Sequence, residues 1–326
     1  MFGRMAYRGG IDLGGTKIQA AVVDDAGNVV GQARNPTPTT GGPADVADEI
    51  AATMREAAAG ADVETSSLAG IGVGSPGKID NEAGTVTGAK NLPGWDGSFD
   101  LRAALEHACG APVAIGNDVD VATDAEFQLG SGRPYQSLLG VFWGTGVGGG
   151  IILDGKPWLG RGAAAEIGHV CVRMGGAPCP CGREGCMEAY AGRYAMELRA
   201  RREVERGEKT MLFKIMEERG RTRLTSGVWA RALDRDDALA QRLMERAVRA
   251  LGAGVASTLN VLDVEAVIIG GGLGLRLGQP YVEKIREAMM PHLFASERAP
   301  AVELAELGDL GGAIGASLLV KATAAA

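Results

Sequence analysis

Four short segments carry side chains at spacings that chemistry requires. The most specific is Glu166-Ile167-Gly168-His169, then Cys179-Pro180-Cys181-Gly182, then Gly185-Cys186-Met187-Glu188. Three thiolates and one imidazole (Cys179, Cys181, Cys186 and His169) match the ligand set of a closed tetrahedral zinc site. The Cys-x-Cys spacing, with glycines nearby, lets one short loop wrap one ion, and it is not the spacing of a Cys-x-x-Cys redox pair. Cys109 and Cys171 have no ligand-like neighbours in sequence and read as core.

Two glycine-rich turns come next. In Asp12-Leu13-Gly14-Gly15-Thr16-Lys17 the glycines let backbone N–H groups approach a phosphate, and Thr16 adds a hydroxyl. Asp12 can hold Mg²⁺ directly or through water. Gly144-Thr145-Gly146-Val147-Gly148-Gly149-Gly150 is a second such cradle. It contains a G-x-G-x-x-G match, but no helix follows, so the dinucleotide-binding reading lacks its context; neither turn has Walker spacing. Each also reads as an ordinary hairpin turn. The fourth segment, Asn117-Asp118, follows a strand ending near Ile115. A carboxylate there can accept a hydroxyl proton as a general base, and the same pair also reads as a turn or helix cap.

The elements that must position these residues follow from periodicity. Gly10 to Leu13, Ile18 to Val23 and Val29 to Arg34 read as a β-meander, and Asp45 to Ala59 as an amphipathic helix. Leu68 to Gly74 is a strand running into Gly74-Ser75-Pro76-Gly77. Gly88 to Gly97 is a loop, Leu101 to Cys109 a helix and Pro112 to Gly116 a buried strand. The theme then restarts: Leu138 to Trp143 is a strand, Gly144 to Gly150 a turn and Ile151 to Leu153 the returning strand. Met187 to Gly207 and Asp236 to Leu262 read as helices, and Val264 to Ile269 as a strand entering the turn Gly270-Gly271-Gly272. Tyr281 to Met290 and Gly311 to Val320 close the chain as helices. Two strand–turn–strand units, each opening a β-rich half, imply a coarse internal duplication in an α/β chain with a cleft between the halves.

Composition narrows the function further. The 326 residues carry a net charge of −7, which argues against duplex DNA as the main partner. The N-terminus lacks an apolar run, and the uncharged stretch Pro134 to Leu153 is interrupted by glycines, so neither a secretory signal nor a membrane helix is expected. A cytoplasmic location follows as the expectation.

Together these residues resemble the ROK family (repressor, open reading frame, kinase), from Asp12 to about Ala316. The segment Glu166 to Glu188 is similar to the family's zinc signature, and the two glycine turns and Asn117-Asp118 are similar to its phosphate and catalytic motifs. The resemblance implies an actin-like, hexokinase-like ATPase fold of two ribonuclease-H-like α/β domains with an interdomain cleft. The smaller domain would hold residues 1–117 plus 306–326, and the larger, with the zinc loop, residues 118–305. It implies ATP-dependent phosphorylation of a hexose, with glucose to glucose 6-phosphate favoured and N-acetylmannosamine, fructose, mannose or allose as alternatives. Asp118 would be the general base. Asn117, Glu166, His169 and Glu188 would hold sugar hydroxyls, with Asn91 in the loop Asn91 to Trp95 and Gly77 as further contacts. His169 would ligate zinc through one ring nitrogen and meet the sugar through the other. Asp12, Gly14, Gly15, Thr16, Lys17, Gly144, Thr145 and Gly146 would hold MgATP, with Gly271 and Gly272 against its adenosine portion. The zinc would be structural, and the assembly a homodimer or homotetramer.

Two features depart from the family pattern. Val119-Asp120-Val121 stands where small residues and a second Asn are usual, and Trp143 precedes the second turn. A repressor of the same family would need a DNA-binding domain, and the eleven residues before Asp12 are too few for one. A catalytically silent sugar-binding protein is the other alternative, weighed against by the intact Asp118 and both turns.

Overall fold

The computed structural model describes residues 6–89 and 91–320. Residues up to Arg133, together with those from Glu306 onward, form one unit, and Pro134–Ala305 form the other.

In the first unit β1 (Arg8–Leu13), β2 (Lys17–Val23) and β3 (Val29–Pro36) make the antiparallel meander the sequence predicts. Helix α1 (Pro43–Ala59) follows, with proline in its first turn and Val46, Ile50, Met54 and Ala57 buried. Strand β4 (Ile71–Ser75) pairs in parallel with β1. A small antiparallel sheet of β5 (Lys78–Asp80), β6 (Thr85–Thr87) and β7 (Ser98–Asp100) comes next. Helix α2 (Leu101–Cys109) starts on the Asp100 cap and stops at left-handed Gly110. Strand β8 (Val113–Asn117) pairs in parallel with β4, and α3 (Asp118–Leu129) begins directly after it. The main sheet runs β3-β2-β1-β4-β8.

The second unit repeats the plan. Strands β9 (Leu138–Trp143) and β10 (Val147–Leu153) form a hairpin extended by β11 (Lys156–Pro157). Helices α4 (Glu188–Ala191), α5 (Arg193–Glu205), α6 (Leu212–Glu218), α7 (Ser226–Leu233) and α8 (Ala238–Leu262) lead to β12 (Ala266–Gly270). After α9 (Gly271–Leu277) and α10 (Gln279–Met289) comes β13 (Ala301–Leu304). The order is β11-β10-β9-β12-β13, with β9, β12 and β13 parallel. Both sheets therefore place an antiparallel hairpin beside two parallel strands, as the duplication predicts. This is the α/β architecture of two ribonuclease-H-like domains.

The chain then returns to the first unit and ends in α11 (Gly311–Leu318). That helix lies directly on the sheet because two glycines clear its path. A Cβ on Gly10 would stand 1.9 Å from the Ala313 carbonyl oxygen, and one on Gly72 would stand 1.7 Å from that of Ala316.

Several sequence expectations are corrected. The first boundary falls after Arg133, not at 117/118, because α3 belongs to the first unit, where Gly315 of α11 sits against Val121. The predicted helix Met187 to Gly207 breaks at Gly192, where φ −58 and ψ 130 leave helical space. The second hairpin turns within Gly144 to Gly146, so the returning strand begins at Val147. Gly271 and Gly272 open α9 rather than forming a free turn. Cys109 is buried as predicted, but Cys171 is exposed. It meets Cys186 in an isolated bridge, with no sheet face to cover it. Among the described residues no helix is long and apolar enough to cross a membrane.

Candidate functional site

In the first unit the candidate residues gather at the carboxyl ends of three adjacent parallel strands, where open α/β sheets present a crevice. Asp12 near the end of β1 is in register with Gly74 of β4, and Ser75 is in register with Asn117 of β8. Asn117 caps α3: its Oδ1 accepts from the Val119 N–H at 2.9 Å and the Asp120 N–H at 3.2 Å. The cap reading of this pair is therefore correct, and it is what places Asp118 at the first helical position. Removal from water pushes the Asp118 carboxyl from 3.8 to about 7, and the Asp12 charge adds to the rise. A hydrogen bond from the Val119 N–H opposes both. Burial also raises Asp12, against the pull of Lys17. A carboxyl poised near neutrality is suited to taking a proton from a hydroxyl.

The first glycine turn is closed by Gly14 N–H donating to the Lys17 carbonyl at 3.0 Å. Thr37 clamps it from β3's end, its hydroxyl donating to the Gly14 carbonyl at 2.6 Å. Gly15 and Thr16 are exposed at the tip. Asn91 lies against this tip, since a Cβ on Gly15 would stand 3.0 Å from the Asn91 carbonyl oxygen and 3.1 Å from its Nδ2. The loop carrying Asn91 is anchored by buried Trp95, whose indole N–H donates to the Val86 carbonyl at 3.1 Å. Gly77, with φ 95, turns the chain from β4 into the small sheet beside the same loop; a Cβ there would stand 3.3 Å from Ala89. Lys17 is held by Asp309, with its ammonium 3.5 Å from that carboxylate, and by a hydrogen bond to Gln19.

In the second unit the hairpin turn closes through Gly144 N–H to the Gly146 carbonyl at 3.0 Å. Arg193 donates to the Thr145 hydroxyl at 2.6 Å. Gly271 opposes the turn with φ 79, and a Cβ there would stand 2.6 Å from the Trp143 backbone, so only glycine fits. Trp143, the departure noted in the sequence, is fully buried and donates its indole N–H to the Ala191 carbonyl at 2.7 Å. Gly272 is exposed beside Gly144.

The cysteine loop lies against the same hairpin. Gly168 permits this, because a Cβ would stand 2.1 Å from the Val147 carbonyl oxygen. The ligand atoms of His169, Cys179, Cys181 and Cys186 all lie within 4.8 Å of one another. Zn–S bonds of about 2.3 Å in a tetrahedron set thiolates about 3.8 Å apart. Cys181 and Cys186 sulfurs are 3.7 Å apart, so the donor set fits that ion. His169 turns Nδ1 to Cys179 at 3.8 Å and Nε2 to exposed Glu166 at 3.8 Å. Glu188 bridges two features: Oε2 accepts from the Val147 N–H at 2.9 Å, and Oε1 lies 3.9 Å from Cys179 Sγ.

The structure thus brings Asp12, Asn117 and Asp118 together in one unit, and Gly146, Glu166, His169, Glu188 and the thiols in the other. Sequence reasoning missed Thr37 and Arg193, whose partners lie far along the chain. It also missed left-handed Ala165 (φ 59), which turns the chain immediately before Glu166.

The sequence matches the family described as "ROK family" over residues 8–323. A glucokinase from Halalkalibacterium halodurans is 33% identical over 315 residues, covering 96% of this chain and 94% of that protein. An N-acetylmannosamine kinase from Haemophilus influenzae is 32% identical over 315 residues, covering 95% and 94%. The crystal structure of a ROK family glucokinase from Streptomyces griseus, in complex with glucose and AMPPNP, matches with TM-score 0.80 at 32% identity, covering 96% of this chain and 99% of that one. Family match, whole-chain similarity and the paired glycine turns with their cysteine loop agree: this chain belongs to the ROK family.

Proposed function

We propose that the protein is an ATP-dependent sugar kinase that transfers the γ-phosphoryl group of MgATP to the O6 hydroxyl of glucose. The observation that carries the reading is Asp118, a carboxyl held near neutrality at the carboxyl ends of parallel strands beside Asp12. Phosphoryl transfer asks the protein chiefly for positioning and charge neutralisation. In the first unit Asp118 takes the hydroxyl proton, and Asn91, Asn117 and Gly77 contact the sugar. Asp12, Gly14, Gly15, Thr16 and Lys17 hold the phosphates and their magnesium. In the second unit Gly144, Thr145 and Gly146 hold phosphate and Gly271 and Gly272 face adenosine. Glu166, His169 and Glu188 supply acceptors for sugar hydroxyls, which both donate and accept.

His169, Cys179, Cys181 and Cys186 would hold a structural zinc ion, since four protein ligands leave no open position. When bound it would fix the loop between Glu166 and Glu188, and so the His169 ring. The similarity to both a glucokinase and an N-acetylmannosamine kinase sets the test. ADP release with MgATP is measured on the metal-loaded protein against hexoses and N-acetyl amino sugars. Glucose far ahead of the rest is the expected result. Another preferred sugar replaces the substrate assignment, and no sugar-dependent release on any of them rejects the kinase reading.

A further inference from the structure

Among the described residues Arg193 is a cation outside every ion pair. Its guanidinium donates to the Thr145 hydroxyl at the tip of the second glycine turn, a neutral acceptor for one of five donors. Among the described residues no carboxylate lies within ion-pair distance of it. Glu197, one helical turn on, is already engaged: Arg201 reaches it at 2.7 Å, Arg223 at 3.2 Å and the Leu224 N–H at 2.9 Å. Two guanidiniums and a backbone N–H thus occupy this one buried carboxylate. Burial, and after it the Arg223 charge, hold the Arg193 pKa below its ordinary value and outweigh the opposing pull of the Glu197 carboxylate, which makes no ion pair with it.

A purely structural role does not need that charge. The start of α5 is already fastened to the turn by two backbone bonds, Arg193 N–H to the Gly144 carbonyl at 3.1 Å and Tyr194 N–H to the Thr145 carbonyl at 3.0 Å. Even partial withdrawal of a cation from water without an ion pair is costly, and a bound anion offsets that cost. The adjacent feature is a glycine turn with Thr145 exposed at its tip, shaped to accept phosphate.

We propose that Arg193 is a direct ligand of the phosphoanhydride tail of the donor nucleotide, its fork bridging the Thr145 hydroxyl and a phosphate oxygen. This rests on the kinase reading of the same turn. It adds to that turn's backbone cradle a cation that the sequence, with no basic run nearby, does not reveal.

Binding without sugar tests it, on metal-loaded wild type and Arg193→Met, by calorimetry with AMPPNP and AMP as probes. Loss of a charged hydrogen bond predicts AMPPNP binding weaker by about tenfold or more, with AMP changed less than about twofold. Arg193→Lys keeps the charge and loses the fork, and falls between. Inorganic tripolyphosphate competes with AMPPNP on wild type, and its competition weakens in Arg193→Met by a similar factor. Equal AMPPNP affinity in wild type and Arg193→Met overturns the proposal alone, as does an equal loss for AMP. Wild type that binds no AMPPNP overturns the kinase reading as well. Should Arg193→Met fail to fold, Arg193→Lys and Arg193→Gln carry the same comparison.

Discussion

Glu188 and Val147 join the cysteine loop to the second glycine hairpin: the carboxylate accepts the Val147 N–H at 2.9 Å, and a Cβ on Gly146 would run into its Oε2. The carboxylate proposed for a sugar hydroxyl is thus also a strut of the proposed phosphate turn. The two roles separate by substitution. Glu188→Gln keeps an acceptor for the Val147 N–H, so stability changes by less than about 1 kcal/mol while sugar turnover falls. Glu188→Ala leaves that N–H unpaired and loses about 1–3 kcal/mol as well. Urea unfolding beside turnover checks both, and equal stability of the two variants contradicts the strut.

The cluster of His169 and three cysteines predicts about one zinc ion per chain, closed to exchangeable ligands. Cys181→Ser is expected to lose the metal and, with it, the order of the segment from Glu166 to Glu188. Metal analysis with turnover measured before and after chelation checks this. Full activity without metal contradicts the structural assignment.

As the proposed base, Asp118 is expected to set the pH dependence. Its carboxyl is raised to about 7, and a base must be ionised, so kcat/KM climbs as pH rises through about 7 and falls about tenfold per unit below it. Asp12→Asn removes the like charge and moves the Asp118 titration to lower pH, read by carboxyl NMR. An unmoved titration contradicts the coupling.

The same shift has a stability consequence whose sign is fixed. A folded-state pKa above the unfolded 3.8 means that ionisation costs native stability. The protonated group's advantage is complete below about pH 4 and is lost as pH rises through about 7. Asp118→Asn is therefore more stable than wild type at pH 8, by roughly 1–4 kcal/mol, with the gap closing toward pH 4. A pH-independent difference contradicts the assignment.

Close helix–sheet approach makes its own prediction. Gly72→Ala puts a methyl into the Ala316 carbonyl of α11, whereas Gly97 has open space around it. Gly72→Ala is expected to lose about 2 kcal/mol or more, and Gly97→Ala less than about 1 kcal/mol. Similar unfolding midpoints for the two would contradict the packing of α11.

Much of this was legible in the residues. The apolar spacing of Val46, Ile50, Met54 and Ala57 gives α1, and the restart of strand–turn–strand at Leu138 anticipates the second sheet. The Cys-x-Cys loop, with His169 and Cys186, points to four residues whose donor atoms the fold brings within 4.8 Å of one another, because thiols at that spacing have few other uses. What was hidden depends on distance along the chain or on brevity. Three-residue strands such as Thr85–Thr87 are too short for a period to show. The Thr37 clamp on Gly14 and the Arg193 contact with Thr145 join residues 23 and 48 apart. No spacing rule reaches that far. Gly10 and Gly72 reveal their purpose only when α11 lies on them.

The central claim is that Asp118 is the base for phosphoryl transfer to a sugar. Asp118→Asn tests it most directly, with glucose-dependent ADP release and glucose binding measured on the same preparation. The account predicts that release is abolished while glucose affinity stays within about threefold of wild type, because the amide keeps the shape and loses the proton acceptor. Turnover near the wild-type rate would contradict it.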